Sequence, residues 1–257
     1  MSRRRHTPED ERFFLVRSLA SDLPNGRSLS AHAHPWSQLI YAVSGVLSVW
    51  TEQGSWVTPP QWAVWAPAGV AHAMRVTGAT SLRTLYVRPG LPRQPRTSSV
   101  IAVSPLLREL ILRAVDIGML DRRQPTHRAM TDLILHELRA QPTPSLDLPQ
   151  PRSGWVRRIA DYMVASPSER GSHAALAKRF GVGVRTLERS FVEETGLSLG
   201  RWRKQARMLH ALRGLGAGAS VKQVALEAGY LSPSAFIAAF RSALHTTPGK
   251  YFGARRQ

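Results

Sequence analysis

The 257-residue chain contains no cysteine. That excludes disulfides, thiolate metal sites and a cysteine nucleophile, and makes the cytoplasm the expected compartment. No apolar run approaches the ~18 residues that would suggest a membrane span. The N-terminal MSRRRHTPEDER is basic but lacks the apolar stretch of a secretory signal. Acidic residues are scarce, with 17 Asp+Glu against 35 Lys+Arg and a net charge of +18. The deficit is uneven. Residues 1–150 hold 17 Arg against 11 acidic residues, whereas residues 151–257 hold 18 Lys+Arg against 6. All the lysines (Lys178, Lys204, Lys222 and Lys250) fall in the second part. Such an excess fits polyanion binding or an arginine-biased solvated surface. The basic part also lacks a paired carboxylate, a candidate nucleophile and a phosphate loop.

What is present is most concentrated between Ser220 and Tyr251. Ser220 is a suitable N-cap, with Gln223 three residues on to close a capping box. Val221, Val224, Ala225 and Ala228 make one apolar helix face, and Gly229 ends it. Ser232-Pro233 starts a second helix with Phe236 and Phe240 inward and Ser234, Ala235, Ala238 and Arg241 outward. Helix, glycine turn and helix with a small, basic outer face is a helix-turn-helix pattern.

The pattern occurs twice. Ala177–Gly181 parallels Ala225–Gly229, Leu187 and Phe191 parallel Phe236 and Phe240, and Ser198–Trp202 parallels Thr247–Tyr251. Two such units bridged by one helix resemble the AraC/XylS family of bacterial transcriptional regulators. The matching residues are ALAKRFGVGVRTLERSFVEETG, LGRWRKQARMLHAL and VALEAGYLSPSAFIAAFRSALHTTP. Gly183 departs from the family's usual cap serine, and His245 stands where the family usually has glycine. Helices are expected over about 155–165, 172–179, 184–194, 199–214, 220–228 and 233–243, with a last turn from Pro248. The bridging helix, about 24 Å long, would help hold two recognition helices in successive major grooves.

Residues 12–88 are short Val, Leu, Ile, Trp and Tyr runs between turn signals, the pattern of a β-barrel or sandwich. Gly26, His32, His34, Gln38 and Gly45, then Pro67, Gly69 and His72, resemble the two cupin motifs. Gln38 replaces the family's Glu, and Gln61 and Val76 replace its Gly and Asn. Strand parity places His32, His34, Trp36 and Gln38 on one inward face, with His72 meeting them from a facing strand. Three readings of this set stay open. It could hold a divalent transition metal (Zn, Ni, Fe or Mn) through His32, His34, Gln38 and His72. It could hydrogen-bond an organic effector, with Trp36 in the cavity. Or the histidines are satisfied within the core. Two amphipathic helices then follow, one starting at Ser104-Pro105 and one over about 125–140.

The expected architecture is α+β and multidomain: a cupin-like effector-binding barrel over 1–98, a helical dimerisation or packing segment over 99–140, a Pro-rich linker over 141–153 and an all-α double helix-turn-helix domain over 154–257. The expected function is a sequence-specific DNA-binding transcriptional regulator controlled by a small molecule or metal. A homodimer is expected, with RNA polymerase a further partner if the protein activates, and no membrane association. The rival reading is a cupin-type metal-dependent enzyme, a dioxygenase or isomerase, with an accessory helical domain. The expected DNA contacts are Arg185, Thr186, Glu188, Arg189, Arg203, Ser232, Ser234, Ala238, Arg241 and Lys250. Arg185, Glu188 and Arg189 are the candidate base readers, and Arg241 and Lys250 suit phosphates. Arg201, Arg203, Lys204 and Arg207 would lie mostly outside on the bridging helix.

Overall fold

The computed structural model describes residues 8–52, 54–138, 147–244 and 246–253. The chain forms two compact units, one of residues up to Leu47 with Thr58–Thr143, the other of Ser48–Val57 with residues from Pro144 onward. The first six residues of the expected linker, 141–146, and the departure at His245 lie outside the described residues.

A 3-10 turn at Pro8–Phe13 precedes β1 (Phe14–Leu23), β2 (Ser28–His32), β3 (Ser37–Thr51), β4 (Gly54–Thr58), β5 (Trp62–Ala66), β6 (His72–Val87) and β7 (Ser99–Ala102). Then come α1 (Pro105–Ile117), β8 (Met119–Asp121) and α2 (Pro125–Glu137). The strand order is β7-β5-β3-β6-β1-β8, with β2 also on β6. β1 runs antiparallel to β6 from Val16↔Val87 to Leu23↔Thr80, and β5 pairs β7 from Trp62↔Ala102 to Trp65↔Ser99.

The strands do not form a core alone. Leu39, Tyr41, Trp65, Leu85 and Val87 share one cluster with Leu107, Ile111 and Ala114 of α1 and Ile134 and Leu135 of α2. Each such aliphatic side chain contributes about 1.5–3 kcal/mol on full burial, so α1 and α2 are part of this unit's core. The Ser104 hydroxyl caps α1 by accepting from Leu107 N at 3.0 Å. The Ser18 hydroxyl of β1 closes the other end by donating to Ala114 O and Gly118 O.

The second unit holds β9 (Asp147–Leu148), which pairs with β4, and then α3 (Gly154–Ala165), α4 (His173–Arg179), α5 (Val184–Thr195), α6 (Leu199–Gly216), α7 (Val221–Glu227), α8 (Pro233–Leu244) and α9 (Pro248–Gly253). The internal repeat is visible bond by bond. Gly181 and Gly229 have φ of 67° and 75°, and the next residue's N–H returns to Ala177 O and to Ala225 O respectively. These are the same helix-ending turn made twice. Ser220 Oγ accepts from Gln223 N, but the Gln223 amide donates to Glu227, so only half of the expected capping box forms.

Gly45 in β3 has no room for a side chain. Its φ is 85°, and a Cβ there would lie 1.9 Å from Thr80 Oγ1 and 2.9 Å from Thr80 Cα. Gly26, at φ 81°, faces open space. Gly26→Ala should therefore cost roughly 1–2 kcal/mol from backbone strain alone. Gly45→Ala should cost clearly more, because Thr80 must also move. Urea unfolding followed by tryptophan fluorescence compares them, and equal midpoints would contradict the packing described.

Candidate nucleic-acid interface and effector site

The two recognition helices are oriented by what they bury. In α5, Leu187 and Phe191 are fully buried, and Phe191 meets the Trp202 indole of α6 edge to face at 5.5 Å. The indole N–H then donates to Pro149 O at 2.9 Å. In α8, Phe236 and Phe240 are fully buried, and Phe240 continues onto Tyr251 of α9 at 5.4 Å. With those faces inward, Arg185, Thr186, Glu188 and Arg189 of α5 are exposed, as are Ser234, Ala238 and Arg241 of α8 and Lys250 of α9. Ser232 is half-buried and acts as the cap of α8, its hydroxyl accepting from Ala235 N.

Glu188 and Arg203 are held by residues outside their own helices. The Glu188 carboxylate accepts from His173 Nδ1 at 2.7 Å, which ties it to the first residue of α4. Arg203 is half-buried. Its guanidinium donates to Gly171 O at 2.6 Å and to Glu169 O, and Arg207 donates to Pro167 O and Glu169 O. Arg203 and Arg207, expected mostly outside and either available to phosphates or merely solvated, instead place their guanidiniums on one loop's carbonyls, which i, i+4 spacing brings within reach of both. Arg189 is 71% exposed and pairs with Glu193 only at 3.6 Å. Such exposed pairs are worth about 0.2–1 kcal/mol, so a guanine edge can displace it.

In the first unit, His32, His34 and His72 come together. Ring centroids are 4.6 Å apart for His32–His72, 5.1 Å for His34–His72 and 5.9 Å for His32–His34. Gln38 and His72 are buried, and His32 and His34 half-buried. Gln38 Oε1 lies 2.9 Å from His34 Nε2 and 2.8 Å from His72 Nε2. The Gln38 amide donates to Thr84 Oγ1, and the Thr84 hydroxyl donates to Leu39 O. His32 Nδ1 faces Ser30 O at 2.9 Å and His72 Nδ1 faces Val70 O at 3.0 Å. A carbonyl only accepts, so both Nδ1 atoms carry the proton and each Nε2 of a neutral ring keeps its lone pair. Burial pushes the His72 pKa down, against the pull of the Val70 carbonyl, and favours the neutral ring. His34 Nδ1 is buried without a partner.

Trp36 does not join this cluster. The strand stops at His32, residues 33–36 form a connection containing Pro35, and β3 starts at Ser37, so parity along a continuous strand does not apply. The Trp36 ring instead lies against two guanidiniums, Arg17 at 4.5 Å and Arg88 at 5.2 Å. Sequence reasoning missed Thr84 and Tyr86, the latter edge-on to His34 at 5.1 Å. Both share the even parity of His72 along β6, which is the signal that could have found them.

A helix-turn-helix domain family matches residues 176–254 and a cupin domain family matches residues 20–88. The HTH-type transcriptional regulator NimR of Escherichia coli (strain K12) is 38% identical over 220 residues, 86% of this chain and 81% of NimR. The HTH-type transcriptional regulator RipA of Corynebacterium glutamicum is 34% identical over 110 residues, 43% of this chain and 32% of RipA. Among solved structures, ToxT from Vibrio cholerae aligns over 95% of this chain and 100% of its own at 9% identity and TM-score 0.40. The DNA-binding domain of AdpA, in complex with a target DNA, aligns over 40% of this chain and 95% of its own at 30% identity and TM-score 0.38. The fold and the family matches define a transcriptional regulator that joins a cupin-like ligand-binding domain to a helix-turn-helix domain. The chain belongs to the AraC/XylS family, and its similarity to NimR extends through both domains. Among the described residues, no helix is long and apolar enough to cross a membrane.

The outward faces differ in chemistry, with Arg185, Glu188 and Arg189 on α5 and Ser234, Ala238 and Arg241 on α8. Arg189→Ala should cost about 1–3 kcal/mol on the best operator and relax specificity at one position. Arg241→Ala should weaken all sequences alike and lower the salt slope by about 0.9. Binding-site selection with both variants, together with salt titrations, checks this. An altered motif with Arg241→Ala and an unaltered one with Arg189→Ala would reverse the assignment.

Proposed function

We propose that operator binding by this regulator responds to a divalent transition metal held by His32, His34, Gln38 and His72. The observation that carries the proposal is a conflict of lone pairs. His72 Nδ1 spends its proton on Val70 O, so Nε2 of the neutral ring has none to give Gln38 Oε1, 2.8 Å away. The clash is relieved by turning the Gln38 amide or by a cation placed among these atoms. The three histidines offer ring nitrogens all within 4.8 Å of one another. With the amide oxygen they form a nitrogen-rich, neutral set that suits Zn, Ni, Fe or Mn. The backbone carbonyls on Nδ1 of His32 and His72 act as the outer partners that orient metal-binding imidazoles. A bound cation would supply a fixed positive charge and a link between β2, β3 and β6. The set contains no carboxylate to act as a base, and the relatives above are named as regulators. Both points support a sensor over an enzyme.

At a hundredfold excess over its dissociation constant, the metal should stabilise the protein by about 2.7 kcal/mol. His34→Ala should remove that gain and the change in operator affinity on adding metal, while leaving metal-free DNA binding intact. Elemental analysis and thermal unfolding with each of the four metals read this out. No retained metal, no stabilisation and an unaltered His34→Ala response would leave an organic effector or plain core histidines.

We also propose a cytoplasmic homodimer formed through α1 and α2. Leu106 and Leu133 are 50% and 46% exposed on helices whose other faces are buried, which supports an apolar contact there. The full chain should sediment at twice its monomer mass, and the Leu106→Arg, Leu133→Arg double variant as a monomer with weaker operator binding. Equal sedimentation of the two would contradict this interface.

A further inference from the structure

Six residues between α3 and α4, Ser166 to Gly171, are gripped from three directions. From α6, Arg207 donates through Nε to Pro167 O at 2.9 Å and through a terminal nitrogen to Glu169 O. One turn earlier, Arg203 donates to Gly171 O at 2.6 Å and again to Glu169 O. From the loop itself, Arg170 reaches out to Tyr230 O at 3.0 Å, in the turn between α7 and α8. That turn comes so close that a Cβ on Gly229 would sit 2.8 Å from Pro167 O and 3.0 Å from Ser168 Cα. The loop leads into the first helix-turn-helix, and Gly229 and Tyr230 form the turn of the second. The bridging helix holds both.

We infer that Arg203, Arg207 and Arg170 form a clamp that fixes the spacing and angle between α5 and α8, making them positioning residues for DNA recognition. Each of Arg203 and Arg207 commits two N–H groups of a planar fork to carbonyls held at fixed positions. A lysine has the charge but no fork, and cannot bond both carbonyls in the same directions. Burial lowers the pKa of Arg207, and the neighbouring charges of Arg203 and Arg170 push the same way. Gathering three guanidiniums around one loop is offset by the carbonyl dipoles they share. A free phosphate contact has no need of that arrangement, since it would leave the forks in solvent.

The consequence concerns DNA geometry. One added base pair moves a bound segment by about 3.4 Å along the duplex and rotates it by roughly a tenth of a turn. A rigid pair of recognition helices tolerates that poorly, and a loosened pair tolerates it better. The inference rests on the reading of α5 and α8 as the recognition helices, and the test separates the two.

The full chain is used to select its site from random duplexes. Versions of that site are then made with one base pair inserted or deleted between the segments read by α5 and α8. Wild type should lose on the order of tenfold or more in affinity on the altered spacings. Arg207→Lys and Arg203→Lys should bind the native spacing more weakly and cut the spacing penalty to about threefold or less. Arg207→Ala should leave the salt slope unchanged, where a lost phosphate contact would lower it by about 0.9. Thermal melting of each variant reports any loss of fold, and a merely destabilised protein would keep the wild-type spacing preference. Lysine variants with the full spacing penalty, or a lowered slope in Arg207→Ala, would overturn the clamp. A wild type indifferent to spacing would overturn instead the reading that α5 and α8 engage one site together, and the clamp with it.

Discussion

The DNA-binding half depends on burying aromatic side chains from both recognition helices against short, fixed neighbours. Phe191 meets Trp202, and Phe236, Phe240 and Tyr251 stack in sequence. Buried aromatic pairs of this kind contribute about 0.5–1.5 kcal/mol each beyond their area. Their directionality matters more than their energy, because a helix fixed by two large inward side chains one turn apart, Leu187 and Phe191 in α5 and Phe236 and Phe240 in α8, has only one way to face outward. The exposed arginines of α5 and the small residues of α8 follow from that constraint. Removing Trp202 would also strand Pro149 O, its indole partner.

In the cupin-like domain the corresponding constraint is polar. Gln38, buried between two imidazoles and the Thr84 hydroxyl, has more acceptors than protons around it. A carboxylate at this position would make the set anionic and bind cations more tightly. On the reading of these residues as a metal sensor, the neutral amide would leave a weaker site, which suits reversible sensing. Arg17 and Arg88 bring positive charge to the connection between β2 and β3, both guanidiniums lying against the one Trp36 ring.

Local signals in the sequence carried far. Ser104, Ser220 and Ser232 each cap a helix as their positions suggested, Ser198 caps another, and the glycine turns at Gly181 and Gly229 repeat in bond pattern as well as in letters. The meeting of His32, His34, Gln38 and His72 was legible from the resemblance to the two cupin motifs and not from strand parity, because His34 lies in the connection and Gln38 on the next strand. What was not legible depends on partners distant in the chain. Arg203 looked like a surface cation because nothing in its own helix reveals the carbonyls of Glu169 and Gly171 some thirty residues away. Glu188 looked free for cytosine until His173 was placed beside it. Trp36 was misplaced for a local reason: Pro35 interrupts the strand on which the parity argument relied. The grouping of Ser48–Val57 with the C-terminal unit has no sequence signature.

The central claim is that one chain reads DNA with two helices, α5 and α8, set by a common frame. Guanine-methylation interference on the selected operator tests it most directly, since N7 methylation blocks the major-groove edge that such helices enter. Two clusters of interfering guanines per chain, separated by about one helical turn, are the predicted result. A single cluster per chain, unchanged when the outward residues of α8 are replaced, would contradict it.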